Sequence, residues 1–135
     1  MRCESDHIVV PVPGPSAFVS LISAAGRIGK AFTFEGFLSP KKGRRTKRIE
    51  ALVSRGDTFI IYESPFRVLK TMEELKSFPQ ISRLVVGREL TKAHEEISVG
   101  KPDEIYADYS SRPAIKGEFV ILCVMGDDCD NDKED

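Results

Sequence analysis

The chain has no tryptophan, two histidines and three cysteines in 135 residues. His7 and His94 lie far apart, and Cys3, Cys123 and Cys129 are odd in number without metal-ligand spacing. Neither a disulfide framework nor a metal centre has support, and a reduced, cytoplasmic setting fits. No apolar run approaches the ~20 residues of a membrane helix, and the N-terminus lacks a signal-peptide core, which argues against a membrane span and against export. There is no serine–histidine–aspartate spacing, no cysteine beside a histidine and no Walker A loop. Hydrolysis through a covalent intermediate is therefore disfavoured. A reaction that needs mainly positioning, with a donor carrying its own reactive group, stays open.

What is present is a chain 41% hydrophobic and 30% charged, enough for one globular domain with a sizeable core. The net charge of -1 hides an asymmetry. The stretch after Gly126, DDCDNDKED, holds six acids against Lys133, and the remainder has 19 basic and 15 acidic residues, a net +4. Residues 126–135 lack apolar periodicity and are expected to be a disordered, solubilising tail beside a domain at 8–125.

Thr58 to Ile61 have high β-propensity and lead into Tyr62-Glu63-Ser64, after which Pro65, Phe66, Leu69, Met72 and Leu75 follow helical spacing. The expectation is a buried strand, a tight turn and a helix with Pro65 at its first position. Ligands of open α/β sheets bind at the carboxyl ends of strands, where Tyr62, Glu63, Ser64 and Arg67 would sit. An ordinary helix surface with a Glu63–Arg67 pair is the simpler reading of these residues alone.

Earlier, Ile8 to Val12 reads as a strand end limited by Pro11 and Pro13, and Gly14-Pro15 opens an apolar helix reaching Ala25. The free N–H groups near Ser16 and Ala17 suit an oxygen ligand, though a turn into a core helix accounts for the spacing as well. Phe32 and Phe34 alternate on one strand face, with Gly36 suggesting a bulge or a close backbone approach. Lys41 to Arg48 then carries six cations in eight positions, read as a mobile basic loop running into a helix at Ile49. Such a run suits polyanion binding and equally a solvated face.

Leu84 to Val86 form a short strand ending in Gly87-Arg88-Glu89-Leu90-Thr91-Lys92, and Pro102-Asp103-Glu104 begins a short helix. Lys116-Gly117-Glu118 leads into Phe119 to Met125, a strand buried on both faces with Cys123 as a small core residue. The alternation points to an α/β domain, with a mostly buried mixed sheet of about five strands flanked by helices. If the polar groups beside the strands share one sheet edge, they line a single cleft.

In series, PVPGPSA at Pro11 to Ala17, FEGFLSPKKGRR at Phe34 to Arg45, IYESPFR at Ile61 to Arg67, RELTKAHEE at Arg88 to Glu96 and KGEFVI at Lys116 to Ile121 resemble the second half of the tetrapyrrole methylase family. The branch they resemble most methylates a cytidine ribose 2′-hydroxyl in small-subunit ribosomal RNA. The resemblance implies S-adenosylmethionine as donor, held between two α/β domains, with Ser16, Ala17, Tyr62, Glu63, Leu90 and Glu118 at the donor wall. It implies that Lys41, Lys42, Arg44, Arg45, Arg67, Arg88 and Lys92 face RNA or stabilise the cleft. Glu63, Glu89 and Lys92 are proton handlers by type only, and no catalytic base is assigned. The family's first domain is not matched, so the chain is expected to be one domain of a longer methyltransferase. Alone, it is expected to bind donor weakly, to show no turnover and to self-associate as a homodimer through the face left open. A tetrapyrrole substrate, or a non-enzymatic RNA-binding module, are the alternatives.

Overall fold

The computed structural model describes residues 21–22, 31–90 and 92–126. Its elements follow in the order β1 (Phe32–Phe37), α1 (Lys42–Arg55), β2 (Thr58–Glu63), α2 (Val68–Leu75), β3 (Ile81–Arg88), β4 (Glu96–Gly100), α3 (Pro102–Ser110) and β5 (Phe119–Met125). The five strands form one mixed sheet in the order β1-β2-β5-β3-β4. β1 and β2 are parallel, because α1 carries the chain back between them, and the other pairs are antiparallel. The expected single α/β domain is the one observed.

The all-apolar β5 takes the centre, and every residue from Phe119 to Met125 is buried. One sheet face is covered by the helices: Ile49 and Leu52 of α1, Met72 and Leu75 of α2 and Ile105 and Tyr109 of α3 pack on Phe59, Ile61, Leu84, Phe119 and Ile121. The other face gathers Ile60, Val85, Leu90, Val120 and Leu122 with Leu21. Its margins are open, with Phe32, Phe34, Phe37, Ile97 and Val99 exposed.

Four sequence expectations need correction. Lys42 to Arg48 is not a mobile loop but the first half of α1, whose buried stripe starts at Arg45 and continues through Ile49, Leu52 and Val53. Pro65 does not open α2: residues 65–67 form a turn, and the Ser64 carbonyl accepts N–H bonds from Arg67 and Val68, so the helix starts at Val68. Phe66 accordingly points outward, 92% exposed. Tyr62 and Glu63 belong to β2 rather than to the turn. The strand at Leu84 to Val86 extends over Ile81–Arg88 and pairs with β4, an edge strand that sequence patterning did not single out. The expected helix from Pro15 and the acidic tail lie outside the described residues, apart from Leu21 and Ile22, which are helical.

Candidate functional site at the strand-end edge

Register brings the polar clusters to one edge of the sheet. The ends of β1, β2 and β3 and the starts of β5 and β4 meet there, through Phe37 opposite Tyr62, Glu63 and Arg88 opposite Phe119, and Arg88 opposite Glu96. Alternation along the strands then divides the edge between the two sheet faces.

On the face away from the helices, Phe37, Tyr62, Val120 and Gly87 form one cross-strand row. The bulge between Phe34 and Gly36, where Gly36 takes φ 74, puts Phe34 and Phe37 on the same face. Both rings meet Tyr62 edge-on, at centroid distances of 5.3 and 5.6 Å. Leu90 folds back over Gly87, where a Cβ would lie 2.8 Å from its Cδ1, so only glycine admits it. Tyr62 and Leu90 thereby stand on either side of Val120 in one apolar cluster.

Beside Leu90 is a clasp. Glu89 adopts the left-handed φ of 50, its N–H donates to the Glu118 carbonyl at 2.9 Å, and its Oε1 accepts the Glu118 N–H at 2.8 Å. Lys92 Nζ closes on Glu89 at 2.9 Å, while Glu118 is largely exposed, 3.7 Å from the same ammonium. The Lys92 bond, then the Glu118 backbone, hold the Glu89 carboxyl below its ordinary range, and Glu89 in turn raises Lys92. At neutral pH this pair stays charged. It fastens the loop and is a poor proton acceptor.

The helix side carries the row Glu63, Phe119, Arg88 and Glu96. The buried Glu63 carboxylate accepts from Ser64 N–H at 2.9 Å, Arg67 Nε at 3.2 Å and Thr71 Oγ1 at 2.8 Å, tying β2 to α2. Glu63 and Tyr62 are adjacent in sequence, yet their side chains lie on opposite faces. Arg88 donates to the Lys116 carbonyl at 3.2 Å and to Glu96 Oε2 at 3.4 Å, and its buried Nε has no partner among the described residues. Arg112 bonds Glu96 and stacks 4.0 Å above the Tyr109 ring. Arg112 first, then Arg88, keeps the Glu96 carboxyl low, while burial raises the Tyr109 phenol.

The expected RNA-facing residues divide in the same way. Arg45 is buried and forks onto Glu74 at 3.0 and 2.7 Å, with a further bond to the Pro40 carbonyl, so its guanidinium is internal rather than offered to a ligand. Arg88 and Lys92 are tied into the networks above. Arg67 is half engaged through Nε. Lys41, Lys42 and Arg44 are exposed, and their side chains have no ion-pair or hydrogen-bond partner among the described residues. Ser16 and Ala17 lie outside the described residues. Glu96, Tyr109 and Arg112 escaped the sequence reading because only the β3–β4 hairpin and α3 bring them together.

Set beside known proteins, the mixed sheet with its flanking helices has the fold of a methylase-type α/β domain. Similar folds occur in the crystal structure of the methyltransferase CobJ, with a TM-score of 0.59 and 20% identity over 83% of this chain and 49% of that one. They occur also in the cobalt precorrin-4 methyltransferase CbiF, with a TM-score of 0.59 and 13% identity over 82% of this chain and 50% of that one. Residues 2–106 match the family model described as Tetrapyrrole (Corrin/Porphyrin) Methylases, and the chain belongs to this family. The relatives include ribosomal RNA small subunit methyltransferase I of Borrelia garinii subsp. bavariensis, 42% identical over 84% of this chain and 51% of the relative. The protein of the same description from Bacillus subtilis is 34% identical over 94% of this chain and 43% of its own length. The chain thus spans about half the length of these relatives.

Proposed function

We propose that this chain supplies one side of the donor cleft of an S-adenosylmethionine-dependent methyltransferase that modifies a cytidine ribose 2′-hydroxyl in small-subunit ribosomal RNA. The observation that carries the reading is the row in which Tyr62 and Leu90 flank Val120 at the strand ends, in a chain 34–42% identical to the two ribosomal RNA methyltransferases above. The residues present suit the donor: an aromatic and apolar wall for the adenine, and the exposed Glu118 carboxylate for a cationic centre.

S-adenosylmethionine, when bound, supplies an electrophilic methyl group together with its own leaving group. The task of the protein is alignment of the ribose oxygen and exclusion of water. Tyr62 and Leu90 line the wall, and the Glu89–Lys92–Glu118 clasp holds the Leu90 backbone against it. Glu63 acts behind the wall by fixing the β2–α2 turn. The reading assigns no residue of this chain to take the hydroxyl proton and leaves the base to the other domain. The reading carries with it a cytoplasmic setting, a second domain that closes the cleft, and a homodimer covering the open face around Phe37.

The test joins this chain to the domain that completes its relatives, titrates S-adenosylhomocysteine by calorimetry and assays small-subunit RNA for ribose methylation. Donor binding weakened by Tyr62→Ala, together with a methylated cytidine, is the expected outcome. Absence of ribose methylation overturns the substrate assignment. A tetrapyrrole substrate is the second reading, favoured by the exposed rings of Phe34 and Phe37 beside Tyr62, which suit a flat macrocycle. Methylation of a porphyrinoid and not of RNA would reverse the order.

A further inference from the structure

An open groove of about 950 Å³ runs between α1, α2 and the start of α3, on the helix side of the sheet and away from the Tyr62–Leu90 row. Topology gives it a polarity. β1 and β2 are parallel and each is followed by a helix, so α1 and α2 both begin at the strand-end edge. α3 follows β4, which runs the other way from that edge, so α3 begins at the far end. The end near the strand mouths is lined by Lys42 and Thr46 of α1 and by Arg67 and Lys70 at the head of α2. Glu73, Lys76, Ser77 and Asp103 lie further along, where the charge is mixed.

The cations at the near end are not spent on the fold. Lys42, Arg44 and Lys70 are exposed and have no charged or hydrogen-bonded side-chain partner among the described residues, and Arg67 commits only its Nε. The groove floor is already neutral, because Arg45 is forked onto Glu74. The arrangement also runs against helix electrostatics. The first turn of α1 has no acid and no side-chain cap, so Lys41, Lys42 and Arg44 crowd the positive end of the helix dipole. Local choices that oppose the fold in this way are expected where function, not stability, selects them.

We infer that the near end of this groove seats the phosphodiester backbone of the RNA strand, with Lys42, Arg67 and Lys70 as direct phosphate contacts, Thr46 as a hydroxyl donor and Arg44 on the rim. The strand then bends over the strand-end edge to present its ribose to the opposite face. This deepens the proposed function and rests on it for the identity of the polyanion. It replaces Arg45, Arg88 and Lys92, which are internally paired, with Lys70 and Thr46 as RNA-facing residues.

The test measures binding of a short fluorescently labelled single-stranded RNA to the full chain over a salt series, for the wild type, Lys42→Gln, Lys70→Gln and Lys76→Gln. Each lost phosphate contact lowers the log–log salt slope by about 0.7, which at 0.05 M salt is roughly an eightfold loss of affinity. Lys42→Gln and Lys70→Gln show that loss and Lys76→Gln, at the mixed far end, does not. Thermal unfolding of Lys42→Gln matches or exceeds the wild type, because a cation leaves the positive helix end, whereas a residue with only a structural role would lower it. Unchanged affinity in both groove variants, or an equal loss in all three, overturns the groove. Absence of RNA binding by the wild type overturns it as well. Donor binding and methyl transfer by the joined domains are read separately, so a failed groove and a failed methyltransferase reading are told apart.

Discussion

The row Glu63, Phe119, Arg88 and Glu96 and the row Phe37, Tyr62, Val120 and Gly87 are neighbours in one sheet, one residue apart along the three strands they share, β2, β5 and β3. The first faces the helices, and apart from the Arg88 Nε its polar groups are bonded within the fold, to Ser64, Arg67, Thr71, Lys116 and Arg112. The second faces away from them and is apolar, with Phe37 65% exposed and Tyr62 half-buried. The difference teaches which polar residues are available. Charge at the edge on the helix side is structural, and the surface left for a ligand is largely uncharged apart from Glu118. Among the described residues, Lys41, Lys42, Arg44 and Lys70 at the heads of α1 and α2 are exposed cations without a side-chain partner, and they lie outside both rows.

The comparison breaks most sharply through packing. Phe59→Ala, on the fully buried helix side, is expected to cost about 3–5 kcal/mol in a denaturant titration. Phe37→Ser should leave that transition nearly unmoved and, on the proposed homodimer, shift the sedimentation of the chain toward monomer. Equal destabilisation by the two would mean that the outer row is as covered as the inner.

Next in size is the buried pair. Glu74→Ala strands the Arg45 guanidinium and is expected to cost about 3 kcal/mol, much of it restored by adding Arg45→Met. Glu35→Ala, which frees the half-exposed Arg48, should do far less, as surface pairs generally do.

Gly117→Ala strikes the clasp. Its φ is 101 and the new Cβ would fall 2.5 Å from Glu89 Oε1, so a loss of about 1–3 kcal/mol is expected from backbone strain alone. Weaker donor binding by the joined domains, seen by calorimetry, would tie the clasp to the wall rather than to stability only.

The smallest effect is with pH. Arg112 and Arg88 lower the folded-state value of Glu96, so this contribution is complete above the ordinary 4.5 and disappears as pH falls through the lowered value. Below pH 4.5 the wild type should therefore lose stability more steeply than Glu96→Gln, as followed by thermal unfolding across an acid series.

Much of this was legible from the chain. Thr58 to Ile61 and Phe119 to Met125 are strands because their β-branched and aromatic content admits little else, and of the two readings open at Gly36 the bulge is the one observed. Each polar cluster was legible as the end of an apolar run, but that Glu63, Arg88 and Glu118 share one edge was left as a condition that the strand register then met. The basic stretch misled because six cations outweighed the stripe that Arg45 shares with Ile49 and Leu52. Pro65 misled because helical spacing can begin in a turn. β4 escaped notice since it is short, half-exposed and at an edge.

Local chemistry, acting over a few residues, by itself determined β2 and β5, the helix at Pro102 and the family to which the motif series belongs. The tertiary structure alone decided which face each side chain takes and which arginine has a partner. Parity along β2 separates Tyr62 from Glu63 only once the sheet has an inside. Arg45 became internal and Lys70 available only when α1 and α2 came to lie side by side, because charges distant along the chain pair by proximity in space.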